Sequence, residues 1–306
     1  MKAAVIGVGH LGKHHARILG SLPGVSLVGV VDTNRERAAE LARELGTTAF
    51  GEVGEITAKL DLAVIAVPTE SHARMALPLI ASGVHTLIEK PIAQTVAEAD
   101  ALIAAAQQAG VVLAVGHSER FNPAVVAARP YLNDPRFIEV HRLGTQLGRS
   151  LDIDVVLDLM IHDLDLILSV VKSEVESVEA VGVPVLTPKV DIANARIRFA
   201  NGCIANLTAS RISKDQVRKI RFFQRERYVS IDTAAREVEM FQLVPQLEGL
   251  PKIGGGKQAV PGEEPLKSEL EDFIAAVRER RAPAIPGEQG RAALALAVQI
   301  VELMRL

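Results

Sequence analysis

Three runs in the first 117 residues are apolar at consecutive positions rather than alternate ones: Ala4 to Val8, Leu62 to Val67 and Val111 to Val115. A strand with one wet face alternates, so runs like these belong to strands covered on both faces, the condition of a parallel sheet between layers of crossover helices. Stretches rich in Ala, Glu, Arg and Gln lie between such runs, at 35–45 and 96–108, and favour helix. Strands are expected over 2–7, 25–32, 47–50, 61–67, 85–89 and 111–116. Joined by five crossovers, these six make a doubly wound, Rossmann-type sheet.

After Gly116 the rhythm changes. A helix is expected over 123–132, a strand over 137–143 and a long helix over 154–171. Strands over 175–184, 191–199, 203–210, 217–223 and 227–231 then follow without helices between them, which implies an open, mainly antiparallel sheet. Residues 246–265 hold many Gly and Pro with little periodicity and are expected as a loop, followed by helices over 265–280 and 287–306. At 306 residues the chain exceeds the size that one core usually reaches. The change of pattern divides an α/β protein into domains at 1–119 and 120–306.

The charge balance, 34 Lys plus Arg against 37 Asp plus Glu with no basic block, excludes nucleic acid or an anionic membrane as the expected partner. Cys203 is the only cysteine, so the chain can form no internal disulfide and no thiolate metal cluster. It reads as a small buried apolar side chain. The amino-terminal run turns Gly-rich too early for a signal peptide, and no stretch approaches the roughly 20 apolar residues of a membrane span. A cytoplasmic protein is the expectation.

Gly7-Val8-Gly9-His10-Leu11-Gly12 follows the first strand and opens a helix. In that context G-x-G-x-x-G is a dinucleotide fingerprint: Gly7 for the tight turn, Gly9 for close approach of backbone to a pyrophosphate, Gly12 for packing of helix on strand. The helix start then offers N–H groups and a positive dipole to phosphate. Asp32 ends the second strand, 20 residues after Gly12, where a carboxylate binds ribose hydroxyls, and this favours NAD. Arg35 and Arg37 lie close enough in sequence to accept a 2′-phosphate, so NADP stays open. His14 and His15 read as surface or packing residues.

Glu89-Lys90-Pro91 closes the fifth strand, at the sheet edge where open α/β folds gather ligands. In Asp154 to Leu168 the helix is apolar around most of its girth, yet Asp154, Asp158, His162 and Asp165 make a polar stripe at helical spacing. Buried carboxylates and imidazoles need partners or a cavity. The stripe is compatible with a core network, a helix interface, a metal site or a catalytic site. Metal is disfavoured because no second histidine lies nearby in sequence.

GVGHLGKHHARIL, AVPTESH, EKPIA, GHSERFNPA and DLMIHDLD occur in this order along the chain. Together they resemble the family of glucose-fructose oxidoreductase, inositol dehydrogenase and the rhizopine-catabolism dehydrogenases (Gfo/Idh/MocA). The resemblance implies a Rossmann domain followed by a substrate-binding α/β domain, whose open sheet mediates a homodimer or homotetramer. It places Gly7, Gly9, His10, Leu11, Gly12, Asp32, Thr69, His72, Glu89, Lys90 and His117 on the NAD side. It places Lys90, Arg120, Asp158 and His162 on the substrate side, with Lys90 near the reacting hydroxyl, His162 as general acid/base and Asp158 as its partner, and with no metal.

GHSERFNPA and DVVLDLMIHDLDLIL most resemble bacterial members that oxidise the 3-hydroxyl of UDP-N-acetylglucosamine on the way to 3-amino sugars of lipid A. A UDP group needs cations, and Arg120, Arg142 and Arg149 are available. The chain has no Trp and only 3% aromatics to stack on a sugar or uracil. A dehydrogenase of a free sugar or inositol, and a non-catalytic NAD(P)-binding regulator, are therefore the alternatives.

Overall fold

The computed structural model describes residues 1–145, 153–246, 250–260 and 262–304. It divides into two units, Met1–Ser118 with Leu266–Leu294, and Glu119–Pro265 with Ala295–Leu306.

The first unit holds strands β1 (Lys2–Ile6), β2 (Ser26–Val31), β3 (Ala49–Phe50), β4 (Leu62–Ile65), β5 (His85–Glu89) and β6 (Leu113–Gly116). All pair in parallel, in the order β3-β2-β1-β4-β5-β6. The crossover helices are α1 (Gly12–Ser21), α2 (Arg35–Leu45), α3 (His72–Ala81) and α4 (Val96–Ala109). The expected sheet is therefore present, and β4 is buried at all four positions, as a run without alternation requires. Local chemistry sets the helix limits. Asn34 caps α2 by accepting from the Arg37 N–H, and Thr95 and Glu98 form a reciprocal capping box on α4.

The second unit opens with α5 (Pro123–Ala128) and β7 (Phe137–Thr145). A π-turn over Val156–Met160 leads into α6 (Ile161–Val171). Strands β8 (Val175–Val183), β9 (Ile192–Phe199), β10 (Ile204–Ser210), β11 (Ile212–Phe223), β12 (Arg227–Asp232), β13 (Glu237–Val244) and β14 (Lys252–Gln258) follow. They form one sheet with β7, in the order β14-β13-β12-β11-β7-β10-β9-β8. Every pairing is antiparallel except β7 with β10. Alternation selects the faces: Ala193, Ala195, Ile197 and Phe199 of β9 are buried, while Asn194, Arg196 and Arg198 are exposed.

Two expectations are corrected here. Residues 246–265 are not wholly a loop, because β14 pairs with β13 along its length. This edge strand is held by main-chain bonds, and its Lys-Ile-Gly-Gly-Gly sequence carries no side-chain alternation to reveal it. At Gly255, φ is +137° and a Cβ would lie 2.0 Å from the Met240 carbonyl oxygen, so close backbone approach demands glycine. The long helix also begins later than expected: Asp154 precedes it and accepts from the Val190 N–H at 2.9 Å, tying the chain to the residues before β9.

Helices α7 (Pro265–Glu279) and α8 (Gly287–Leu303) close the chain. Leu270, Phe273 and Ile274 of α7 join Val5, Ile18, Val30 and Leu87 in one core cluster. The Val115 N–H donates to the Ile285 carbonyl, and Ala114 bridges to Pro286, which covers the β6 edge. Segment Leu266–Leu294 thus groups with the first unit, whereas the sequence reading puts all of 120–306 in the second domain. Among the described residues no helix is long and apolar enough to cross a membrane. Cys203 is fully buried, and burial pushes its thiol up to about 11.

Candidate active site

The predicted cofactor residues of the first unit lie along the carboxyl edge of its sheet. Gly7 to Gly12 follow β1, Asp32 follows β2, Thr69 follows β4, Glu89 ends β5 and His117 follows β6. Gly7 has φ +86°, and a Cβ there would lie 2.7 Å from the Ala66 carbonyl oxygen. A Cβ on Gly12 would stand 1.8 Å from the Gly7 oxygen, while one on Gly9 would meet nothing within 4 Å. Two of the glycines are therefore demanded by packing, and the third faces open space. Leu11 has no acceptor with which to cap α1, and the first turn carries no acidic residue. Amides at such a helix start are directed to an external anion. This arrangement fits a dinucleotide pyrophosphate, with His10 and Leu11 exposed beside it.

Asp32 is buried at the end of β2, and its carboxylate accepts from the Val8 N–H at 2.8 Å, which ties the glycine turn to the second strand. It also accepts from the Asn34 N–H at 2.8 Å and from Arg37 at 2.7 and 3.2 Å. Burial alone raises the pKa of this carboxyl group, but the bonds from Arg37, Val8 and Asn34 outweigh it and hold the group below its ordinary value. Arg37 is therefore placed on Asp32, at the position where NADP would bring its 2′-phosphate.

Lys90 begins where β5 ends, is half-buried, and precedes Pro91 through a cis peptide bond. Two residues expected on the cofactor side make internal bonds at this edge. The Glu89 carboxylate points inward, with Oε1 2.7 Å from His15 Nε2 and Oε2 accepting from the Lys90 N–H at 3.1 Å. Burial raises its pKa, and His15 and Lys90 more than reverse that, leaving it lowered. His72 is likewise internal, with its ring nitrogens each 2.9 Å from a carbonyl oxygen, that of Pro91 and that of Val67. Its imidazole fastens the loop after β4 to the Lys90-Pro91 turn. His15, read from sequence as surface or packing, is a packing residue, and its bond to Glu89 is what sequence reasoning did not find. Its position on α1 one turn past Gly12, on the face that meets the sheet, was the available signal.

In the second unit the polar stripe separates into structural and chemical parts. Asp165 takes both Arg120 bonds at 2.6 Å in the interior, and Asp163 takes Arg142 Nε and Nη2 at 2.7 Å. Arg120, expected on the substrate side, is buried and ion-paired with Asp165. Burial opposes the Arg142 charge, but Asp163 and Glu119 outweigh it and raise its pKa above the ordinary arginine value. Arg149 lies outside the described residues. Asp158, on the π-turn, and His162, on the first turn of α6, are both half-buried. π-Turns are rare and concentrate at functional sites.

Two family models match the sequence. The oxidoreductase family with an NAD-binding Rossmann fold covers residues 1–117, and the GFO/IDH/MocA C-terminal domain covers residues 135–226. The chain is 41% identical over 302 residues to UDP-N-acetylglucosamine 3-dehydrogenase of Acidithiobacillus ferrooxidans, spanning 98% of this chain and 96% of that one. The solved structure of that enzyme matches with a TM-score of 0.93 at 40% identity, covering 99% and 97% of the two chains. Scyllo-inositol 2-dehydrogenase (NAD(+)) of Bacillus subtilis is 29% identical over 238 residues, 70% of this chain and 68% of its own. Levoglucosan dehydrogenase in complex with NADH shares the fold, with a TM-score of 0.89 at 20% identity over 99% and 96% of the chains.

Proposed function

This chain belongs to the Gfo/Idh/MocA oxidoreductase family, and we propose that within it the molecule oxidises the 3-hydroxyl of UDP-N-acetylglucosamine. It is an NAD-dependent dehydrogenase of CH–OH groups. The observation that carries the substrate assignment is 41% identity to an enzyme of that activity along 96% of its length.

Bound NAD supplies the hydride acceptor. The protein supplies proton transfer, orientation and electrostatics. In this reading His162 takes the hydroxyl proton as the carbon is oxidised, and Asp158 orients the imidazole and stabilises its protonated form. The Lys90 ammonium offsets the negative charge that develops on the oxygen. Glu89 takes no part in the proton transfer. It holds the start of the Lys90 segment through the main-chain bond at 3.1 Å. The presence of Lys90, Asp158 and His162 in this sequence favours an enzyme over a regulator that merely binds the nucleotide.

The same reading includes a homodimer or homotetramer formed through the outer face of the second sheet. Phe137, Phe223, Tyr228 and Phe241 stand in a row across β7, β11, β12 and β13, with neighbouring ring centroids 5.1 to 6.3 Å apart. Phe223 is 37% exposed, and an aromatic row on an open sheet face suits burial against a second copy. Light scattering of the purified protein tests this, and a monomer at micromolar concentration would refute it.

The substrate assignment is tested by following NADH formation with UDP-N-acetylglucosamine, UDP-N-acetylgalactosamine, free N-acetylglucosamine and myo-inositol. Turnover of the first is expected. Silence with both nucleotide sugars and turnover of the free sugar or the inositol would reject it.

A further inference from the structure

The second unit contains a cavity of about 370 Å³ bounded by β7, β11 and the π-turn. Arg142, Lys214 and Arg218 contribute to its wall together with Ser210, Gln216 and Leu159. Among the described residues that line it, none is acidic. We infer that Lys214 and Arg218 hold the diphosphate of a nucleotide-sugar substrate, an inference that rests on the reading above and names the contacts that read the nucleotide half.

The geometry of β11 makes the site. From Ile212 to Val217 this strand advances five residues while its partner β7 moves two, from Thr145 to Leu143, so the intervening segment is bulged off the ladder. The bulge is held in place by local bonds: the Thr145 hydroxyl donates to the Ser213 carbonyl at 2.9 Å, and the Ser213 hydroxyl donates to Ser210 Oγ at 2.8 Å. Lys214, Gln216 and Arg218 line the cavity from this segment and the strand that follows it.

The described lining of the cavity includes three basic side chains and no carboxylate. Arg142 is answered by Asp163 at 2.7 Å and by Glu119 at 3.4 Å, and Asp163 also feels the field of Arg218. Lys214 is exposed, and Arg142 and Arg218 are direct cross-strand partners of β7 and β11. A planar guanidinium and a mobile ammonium together suit two linked phosphoryl groups, one by paired bonds and the other as a point charge. Leu159 in the wall lies next to Asp158 in the chain, so the cavity borders the segment that carries the dyad. Arg120 is bonded to Asp165 and is not among the described residues that line this cavity.

The test compares wild type with Lys214→Gln/Arg218→Gln and with the single variant Lys214→Glu. Steady-state kinetics with UDP-N-acetylglucosamine should show KM raised at least about tenfold per lost cation, with kcat and the KM for NAD close to wild type. Competitive inhibition by UDP should weaken in parallel, and Arg218→Lys should recover part of the loss. Unchanged KM and unchanged UDP inhibition in both variants would overturn the inference while leaving the substrate reading intact.

If the wild type turns over no nucleotide sugar, that reading fails by itself. Calorimetric titration of the NADH-loaded protein with inorganic pyrophosphate then decides the cation site alone. Binding that disappears in the variants supports it; absent binding, or equal binding in all three proteins, refutes it. Lys214 is exposed, so the glutamate variant is expected to fold even if the double variant does not.

Discussion

His15 Nε2 lies 2.7 Å from Glu89 Oε1 in the interior of the first unit, with the imidazole wholly excluded from solvent. The pair joins α1, which opens from the glycine turn, to the end of β5, where Lys90 begins. A carboxylate buried there requires its partner, because an uncompensated buried charge costs more than the pair contributes.

His15→Ala is therefore expected to destabilise the protein by about 2 kcal/mol or more, read as a lower thermal unfolding temperature, with His15→Asn recovering part of the loss. The pH dependence has a definite sign. The folded pKa of Glu89 is depressed, so its contribution is present above the ordinary value of 4.5 and is lost as pH falls through the lowered folded value. Unfolding temperatures measured between neutral and acid pH should converge for wild type and His15→Ala at the acid end. Parallel curves would exclude the charge pairing as the cause.

His162→Ala should lower kcat at least about a hundredfold, the lower range for a positioned general base. The NAD-binding Rossmann family model matches residues 1–117 and does not include His162, so the Kd for NADH, followed by fluorescence of bound NADH, should stay close to wild type. Near-normal turnover in this variant would remove His162 from the mechanism.

Asp32→Ala should move cofactor preference toward NADP by at least about tenfold in kcat/KM. The substitution removes the carboxylate that repels a 2′-phosphate and frees Arg37, now 2.7 Å from Asp32 Oδ1. Adding Arg37→Ala should cancel the gain, since no guanidinium then meets the phosphate. Retained strict NAD use in Asp32→Ala would show that discrimination resides elsewhere.

Arg120→Ala should act on stability and only secondarily on KM. Its removal leaves Asp165 buried without the guanidinium, a loss of about 3–5 kcal/mol for a buried ion pair. Replacing both residues by apolar side chains, Arg120→Met with Asp165→Leu, should restore much of it. A specific rise in substrate KM with normal unfolding temperature would return Arg120 to the substrate side.

Much of the first unit was legible in the sequence because its determinants are local. Consecutive apolar runs mark β1, β4 and β6, glycines mark the turn, and Asn34 and Thr95 mark helix starts, each acting within a few residues. The second sheet was legible as far as β12, where alternation separates inner from outer residues. It failed at β13, where no strand was expected, at β14, whose glycines pair through main-chain groups alone, and at the π-turn, which the apolar pattern of a continuous helix conceals.

What the sequence by itself determined is the doubly wound sheet and the glycine turn of the dinucleotide fingerprint, because strand period and turn conformation are properties of short stretches. Only the tertiary structure decided which polar and charged groups meet. His15 meets Glu89 across 74 positions and Arg120 meets Asp165 across 45, and Leu266–Leu294 returns to the first unit. Such pairings arise when distant surfaces are buried against each other, and the cost of leaving a charge dry and unmatched selects the partner, which no local pattern encodes.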